Sequence, residues 1–371
     1  MKIAMVCYPT HGGSGVVATE LGKELAERGH VVHFVSYQMP LRLDRFQSNV
    51  YYHEVDMPSY PLFKYPPYTL ALINQLVELL EREKLDIIHA HYAIPHSFCA
   101  HVAREIVGDR HVRVVTTLHG TDITLVGSDP SFKRITKFSM EQSDGVTAVS
   151  ESLALETGET FGTDKKVQTI YNFINTRRFF RQPGARERVC RWQTECKVLL
   201  HVSNFRPVKR SPDVIEVFAR VRRKMEAKLL LVGDGPQRPE AQRLVDRLQI
   251  GQDVQFLGLQ DNVLPLFSAA DLFLLPSEKE SFGLGALEAM ACQVPVIATH
   301  TGGLPEVVRH GKTGYLAPVG DVEALAGYAL ELLGNEKLLR RMGDAARYRA
   351  EKLFDSQIIV PRYEQLYEAL L

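Results

Sequence analysis

The sequence predicts an α/β protein built from two doubly wound, parallel-sheet domains in tandem. Short apolar runs alternate with amphipathic stretches along most of the chain, the pattern of strands joined by crossover helices. The alternation lapses between Asn172 and Gln193, where arginine is dense, and then starts afresh. A chain of 371 residues also exceeds what one ordinary core supports.

The first series of predicted strands reads Ile3–Cys7, Val31–Ser36, Ile87–Ala90, Val112–Leu118 and Gly145–Val149, with predicted helices at Gly15–Arg28 and Leu70–Glu83. The second reads Lys197–Val202, Lys228–Val232, Val254–Phe256, Leu272–Leu275 and Pro295–Ala298. Its predicted helices are Ser211–Lys224, Pro239–Leu248, Gly283–Ala291 and a helical tail from Val322 onward. The expected domains are 1–175 and 176–355. The closing helix, 356–371, has no strand to cross back to and is expected to pack on the first domain. Ligands of such folds bind at the carboxyl ends of the strands, so a cleft between two such ends is the expected site.

Lys+Arg and Asp+Glu balance at 44 each, so no global field recruits nucleic acid or an anionic membrane. Cys7, Cys99, Cys190, Cys196 and Cys292 lack metal-type or thioredoxin-type spacing and read as reduced, buried thiols. No signal-peptide profile precedes the first strand, and no apolar run approaches the roughly 20 residues of a membrane span. The expectation is a cytoplasmic protein with no nucleic-acid or membrane partner. A homo-oligomer is left open.

The densest chemistry lies at Glu280-Ser281-Phe282-Gly283-Leu284-Gly285-Ala286-Leu287-Glu288 and continues to Gly302-Gly303-Leu304-Pro305-Glu306. Two carboxylates eight positions apart flank a glycine turn that opens a helix. Glu280 in the loop can meet sugar hydroxyls. The backbone N–H groups of Phe282, Gly283 and Leu284 are read as facing a diphosphate at the helix N-terminus. Glu288, deeper in the helix, can accept both ribose hydroxyls. A glycosidase pair fits less well, because eight helical residues span about 12 Å against the ~5–5.5 Å of a retaining hydrolase. The bland alternative is two solvated surface glutamates.

The remaining motifs all follow strands. His11-Gly12-Gly13-Ser14-Gly15 leaves the backbone open to a ligand at a helix start. It lacks the third glycine of a dinucleotide fingerprint, because Ala18 stands there. His89, His91, His96 and His101 raise a metal site, but no carboxylate or cysteine joins them at ligand spacing, so no metal or other cofactor is expected. Tyr92 is an acceptor-pocket candidate, or else a core aromatic. His119 and Asp122 flank Gly120 and Thr121. His119 could hydrogen-bond a sugar hydroxyl or stabilise charge at the anomeric carbon through its carbonyl. Asp122 could orient it or cap the next helix. Arg206, Lys209 and Arg210, three cations in five positions, can neutralise a leaving diphosphate; the alternative is a solvated basic loop. Gly233 lies in a tight turn that ends a strand, and the main chain of the loop Gly258-Leu259-Gln260-Asp261 could read a base edge; both could equally be ordinary turns.

Assembled, these residues resemble a retaining, nucleotide-sugar-dependent glycosyltransferase of the two-domain GT-B fold. The marks are Gly12-Gly13, His119-Gly120, Lys209, Val232-Gly233-Asp234-Gly235-Pro236, the Glu280/Glu288 pair and Gly302-Gly303-Leu304-Pro305-Glu306, which cover nearly the whole length. Long stretches such as Asp86-Ile87-Ile88-His89-Ala90-His91-Tyr92 and Val202-Ser203-Asn204-Phe205-Arg206 resemble one branch of that family. That resemblance implies transfer of N-acetylglucosamine from UDP-N-acetylglucosamine to L-malate, the first step of bacillithiol biosynthesis. One departure is plain: Ser203-Asn204 stands where many members have Gly-Arg. The phosphate-binding arginine is missing there, and Arg206 either substitutes for it or meets the acceptor.

The resemblance implies catalytic roles for Lys209, Glu280, His119 and Arg206. It implies donor contacts at Gly13, Ser14, Asn204, Gly233, Gln260, Phe282, Gly283, Leu284 and Glu288. Acceptor contacts would come from Tyr92 and Thr121, with Gly13 beside them and Lys64 and Arg134 as further cations. The alternative keeps the reaction but changes the acceptor to another small molecule or a lipid. A sugar-phosphate epimerase would need a carboxylate acid/base pair at the sugar. A non-catalytic nucleotide binder would not be expected to keep Lys209, Glu280 and Glu288 together.

Overall fold

The computed structural model describes residues 1–10, 12–43, 46–57, 64–126, 129–189 and 196–371. It divides into two compact units, Met1–Asn172 with Ile359–Leu371, and Phe173–Ile358. The chain thus passes between units at Asn172 and again at Ile358, against sequence boundaries of 175 and 355.

The first unit holds a seven-stranded sheet. Its strands are β1 (Lys2–Val6), β2 (Val31–Ser36), β3 (Val50–Glu54), β4 (Ile87–His91), β5 (Arg113–Leu118), β6 (Gly145–Ala148) and β7 (Val167–Thr169). They run parallel in the order β3-β2-β1-β4-β5-β6-β7. The central strands β1 and β4 are buried along almost their whole length, as parallel strands covered on both faces must be. The edge strands β3 and β7 were not read from the sequence. Both are largely half-exposed, so neither carries the continuous apolar run that marks a strand buried on both faces.

Helix Tyr68–Glu83 turns Leu72, Leu76, Leu79 and Leu80 inward, an i, i+4, i+7, i+8 stripe. It packs them with Ile88 and Val114 of the sheet. The final helix, Ser356–Leu370, supplies Tyr363 and Tyr367, both fully buried. The Tyr367 hydroxyl meets His89 Nδ1 at 2.7 Å. Arg113 Nε donates to the Leu370 carbonyl at 2.9 Å. Glu364 takes Arg28 at 3.3 Å and His30 at 2.9 Å.

The second unit holds a six-stranded parallel sheet of β8 (Lys197–Val202), β9 (Ala227–Val232), β10 (Val254–Gly258), β11 (Leu272–Leu275), β12 (Val296–Thr299) and β13 (Gly314–Ala317). The order is β10-β9-β8-β11-β12-β13. The four-residue strand β13 begins at Gly314 and also escaped the sequence reading. Leu199, Leu229 and Leu231 of the sheet pack with Phe218, Leu325 and Leu332 of its helices. Asp321 and Asn335 cap the helices that follow them, accepting from the N–H groups of Ala324 and Leu338. The Arg347 guanidinium donates to the carbonyls of Thr176, Phe179 and Ala291 at 2.7–2.8 Å, tying the start of this unit to its helical layer.

Among the described residues no helix is long and apolar enough to cross a membrane. Cys7, Cys99, Cys196 and Cys292 are buried free thiols, whereas Cys190 lies outside the described residues. Burial pushes the thiols of Cys7, Cys99 and Cys292 up to about 12.

Tyr367→Phe leaves His89 Nδ1 without a partner in a sealed interior. The expected cost is about 1–3 kcal/mol, read as a lower urea midpoint at unchanged slope. An unshifted midpoint would show that this hydrogen bond contributes nothing net.

Candidate active site

The first unit gathers its candidates at the carboxyl ends of β1, β4 and β5. Parallel register sets Val6 beside Ala90 and His91 beside Thr117, so the residues that follow these strands emerge side by side. A Cβ on Gly15 would lie 2.7 Å from the carbonyls of Tyr8 and Thr10, so the turn needs glycine there. Gly13 is different: a Cβ on it would meet nothing within 4 Å. Its openness leaves room for a ligand at the start of helix Gly13–Glu27, whose cap residue Gly12 has no side chain to fill it. His11 lies outside the described residues.

Tyr92 follows β4 with φ of +101° and donates its hydroxyl proton to Ser14 Oγ at 2.9 Å. Its ring lies 5.5 Å from that of His119. Asp122 proves to be a strut for the next turn. Its carboxylate accepts the N–H groups of Gly120, His119 and Ala93 at 2.9, 3.2 and 3.3 Å. Burial raises its carboxyl to about 6, and these donors oppose the rise. Thr121, half-buried, follows in the same turn. Lys64 and Arg134 are exposed, and neither shares a hydrogen bond or ring contact with this group among the described residues. Lys64 instead lies over the ring of Tyr65 at 5.5 Å.

The histidines in this region are neutral. Burial lowers His89 and His119 to about 3 and His96 to about 4, and holds His91 well below the ordinary range. His96 Nδ1 donates to the His91 carbonyl at 2.6 Å, which leaves Nε2 to accept from the Tyr68 hydroxyl at 3.2 Å. No group of three or more His, Cys, Asp or Glu side chains is arranged for a metal among the described residues.

Sequence reasoning missed the aromatic surround. Tyr8 packs 5.6 Å from Tyr92 and 4.4 Å from His96, and Tyr37 lies 5.5 Å from Tyr68. Position held the signal: Tyr8 follows β1 closely, Tyr37 follows β2 directly, and Tyr68 opens a helix.

The second unit carries the charges. Lys209 Nζ and Glu280 Oε2 form an ion pair at 2.5 Å, with side chains only 20% and 14% exposed. The sequence reading had given these two residues separate parts of the donor. Ser277 Oγ donates to the same carboxylate oxygen at 3.3 Å. The second glycine turn fixes the main chain here. Gly303 N donates to the Glu280 carbonyl at 2.9 Å. Gly302 has φ of +50°, and a Cβ on it would lie 2.0 Å from that oxygen.

The helix opens at Leu284, with Gly283 as its cap at φ of +95°. Leu284, Gly285 and Ala286 therefore present the first-turn N–H groups, which corrects the placement of Phe282 among them. Phe282 is a core residue with its ring 5.6 Å from Phe354. Glu288 is buried in the helix at 6% exposure.

The loop after β8 is locked from below. His201 Nδ1 donates to the Leu274 carbonyl at 2.9 Å, so Nε2 accepts from Ser203 Oγ at 2.8 Å. Ser203 Oγ in turn accepts the Phe205 N–H at 3.2 Å. Burial first, and then the nearby Lys209, lower His201 to about 4, against the Leu274 bond. Gly233 (φ +111°) and Gly235 (φ +155°) let the neighbouring turn approach: a Cβ on each would lie 1.7 Å from the Ser203 carbonyl and 2.0 Å from that of Asn204. Gly233 N also donates to the Gly258 carbonyl at 2.7 Å, drawing in the loop that carries Gln260. Gln260 itself donates to the Leu257 carbonyl at 2.7 Å. Asn204 and Gln260 are exposed and Arg206 is partly exposed. The Arg206 guanidinium has no hydrogen-bond partner among the described residues.

This is the architecture of a nucleotide-sugar glycosyltransferase, and the comparisons with known proteins agree. Residues 11–178 match the model of Glycosyltransferase Family 4, and residues 187–349 that of Glycosyl transferases group 1. The chain belongs to this glycosyltransferase family, with the GT-B fold. It is 51% identical, over its whole length and 97% of the relative's, to the N-acetyl-alpha-D-glucosaminyl L-malate synthase of Bacillus anthracis. Among solved structures it resembles a sucrose-phosphate synthase from Thermosynechococcus elongatus, with a TM-score of 0.84 at 23% identity over 100% and 99% of the two chains. It likewise resembles the Anabaena Alr3699/HepE protein in complex with UDP and glucose, with a TM-score of 0.84 at 21% identity over 100% of both chains. These two likenesses speak to the fold.

Gly302→Ala forces a Cβ against the Glu280 carbonyl at a left-handed position. The substitution is expected to cost more than about 1 kcal/mol and to shift Glu280, so donor affinity measured by calorimetry falls along with stability. A stable variant with unchanged donor affinity would contradict the clamp.

Proposed function

We propose that this chain transfers N-acetylglucosamine from UDP-N-acetylglucosamine to the hydroxyl of L-malate with retention at the anomeric carbon, the first step of bacillithiol biosynthesis, in the cytoplasm. The observation that carries the proposal is the 51% identity, end to end, with the Bacillus anthracis enzyme of that name. The ion pair of Lys209 and Glu280 supports the donor end of the reading.

In this reading the second unit holds the donor. Glu288 takes the ribose hydroxyls and Glu280 the sugar hydroxyls, while Asn204, Gly233 and Gln260 line the nucleotide. The diphosphate lies against Lys209 and the helix that begins after Gly283. Gly13, Ser14 and His119 face the sugar from the first unit. Malate lies near Gly13, Tyr92 and Thr121, with Lys64 and Arg134 as cations for its carboxylates. Arg206 serves either those carboxylates or the diphosphate.

No carboxylate is assigned as a nucleophile. The malate hydroxyl oxygen attacks the anomeric carbon from the face that UDP leaves, the bond from that carbon to the diphosphate oxygen breaks, and the hydroxyl proton passes to the departing diphosphate. Rate comes from positioning and from charge stabilisation by a fixed cation and helix end. Because those groups meet the leaving charge, the reading includes no metal cofactor.

UDP release from UDP-N-acetylglucosamine by purified protein, with a chelator present, is expected only when L-malate is added. Release with another acceptor but not with malate would overturn the acceptor, and no release at all would overturn the donor. Lys209→Ala is expected to lower kcat by about 100-fold or more with a smaller change in donor KM, as for a group that meets charge in the transition state. An unchanged kcat would remove Lys209 from that role.

A further inference from the structure

We infer that His91 is a positioning residue: it donates its Nδ1 proton to His119 Nε2 and so fixes His119 as the tautomer that presents Nδ1–H to the substrate. The inference deepens the proposed function, in which His119 touches the sugar, and rests on that reading for its consequence.

The geometry leaves two assignments. His91 Nδ1 and His119 Nε2 lie 2.9 Å apart with rings stacked at 5.1 Å, so one nitrogen donates and the other accepts. If His119 donated, the neutral His91 would carry its proton on Nε2. That nitrogen is sealed from solvent and has no hydrogen-bond partner. An orphaned buried N–H is rare, and leaving any buried polar group unpaired is costly. If His91 donates instead, its Nε2 holds only a lone pair, and the proton of neutral His119 falls on Nδ1. His119 Nδ1 has no partner among the described residues and is not sealed as His91 Nε2 is. It is the one polar atom of that ring free to meet a ligand.

His91 is itself held. Its carbonyl accepts His96 Nδ1 at 2.6 Å, and its ring stacks on His89 at 4.4 Å. His89 is fixed between Thr117 Oγ1 and the Tyr367 hydroxyl, each at 2.7 Å. The hydrogen bond to His119 therefore starts from a ring whose backbone is tied and whose face is packed on a fixed neighbour. Burial keeps all three rings neutral near pH 7, so a tautomer, and not a charge, is what His91 sets.

The test is the tautomer itself. A long-range proton–nitrogen correlation spectrum of histidine-labelled protein reads which ring nitrogen is protonated, and His119→Gln identifies the His119 signals. Wild-type protein is expected to show His119 as Nδ1–H. His91→Leu removes the donor, so His119 should turn to Nε2–H or to a mixture, and kcat/KM for the donor should fall roughly tenfold, as for one lost polar contact. His91→Asn carries an amide N–H where Nδ1 stood and should restore the Nδ1–H tautomer and most of the rate.

An Nε2–H tautomer in the wild type overturns the inference, and so does a tautomer indifferent to His91→Leu. Equal failure of the Asn and Leu variants in tautomer and rate would also overturn it. Should His91→Leu not fold, the wild-type and His91→Asn spectra decide. Should the wild type release no UDP from this donor, the functional reading fails, and the tautomer measurement still decides the inference.

Discussion

The site depends on backbone approaching backbone at the strand ends. In the second unit the turns after neighbouring strands lie so close that a single Cβ would collide with a main-chain oxygen. Gly233 and Gly235 meet the carbonyls of Ser203 and Asn204 across β8 and β9, and Gly302 meets that of Glu280 across β11 and β12. Gly15 plays the same part in the first unit, against Tyr8 and Thr10. A backbone contact cannot relax through a rotamer change, so the side chains that spring from these turns inherit fixed origins. Lys209 and Glu280 can pair because their loops are pinned in this way.

The two units dress similar scaffolds in opposite chemistry. The strand ends of the second present Lys209, Glu280, Arg206 and a helix start, groups suited to charge. Those of the first present Tyr92, Ser14, Thr121 and neutral His119, groups suited to hydroxyls. Burying neutral imidazoles and hydroxyls that satisfy one another is cheaper than burying ions. A chain of such groups can therefore run from Thr147 through Thr117 and His89 to Tyr367 without a counter-ion.

The buried strands were legible because a parallel strand covered on both faces must be apolar throughout, and β2, β8 and β11 were read to the residue. Edge strands have no such requirement, and the half-exposed β3 and β7 passed unread. Strand β13 is mostly buried but only four residues long and begins on a glycine, too short an apolar run to stand out. At the site, glycines and charges after strands stood out. Tyr8, Tyr37 and Tyr68 did not, since an aromatic beside an apolar run looks like more core. The Lys209–Glu280 pair was hidden for a different reason: its members are 71 positions apart, and nothing local says that two loops will meet. Phe282 shows a smaller displacement: its N–H was grouped with the helix start, whereas the helix opens two residues later, at Leu284.

The final helix orders events during synthesis. Residues 359–371 belong to the first unit, yet they leave the ribosome after the entire second unit. Until Tyr363 and Tyr367 arrive, the face of β4 they cover stays open and His89 lacks its hydroxyl partner. The first unit to be made is thus the last to be finished. A nascent chain must hold a partly open sheet while the second unit folds, and damage within residues 359–371 is felt around His89, on a strand made long before them.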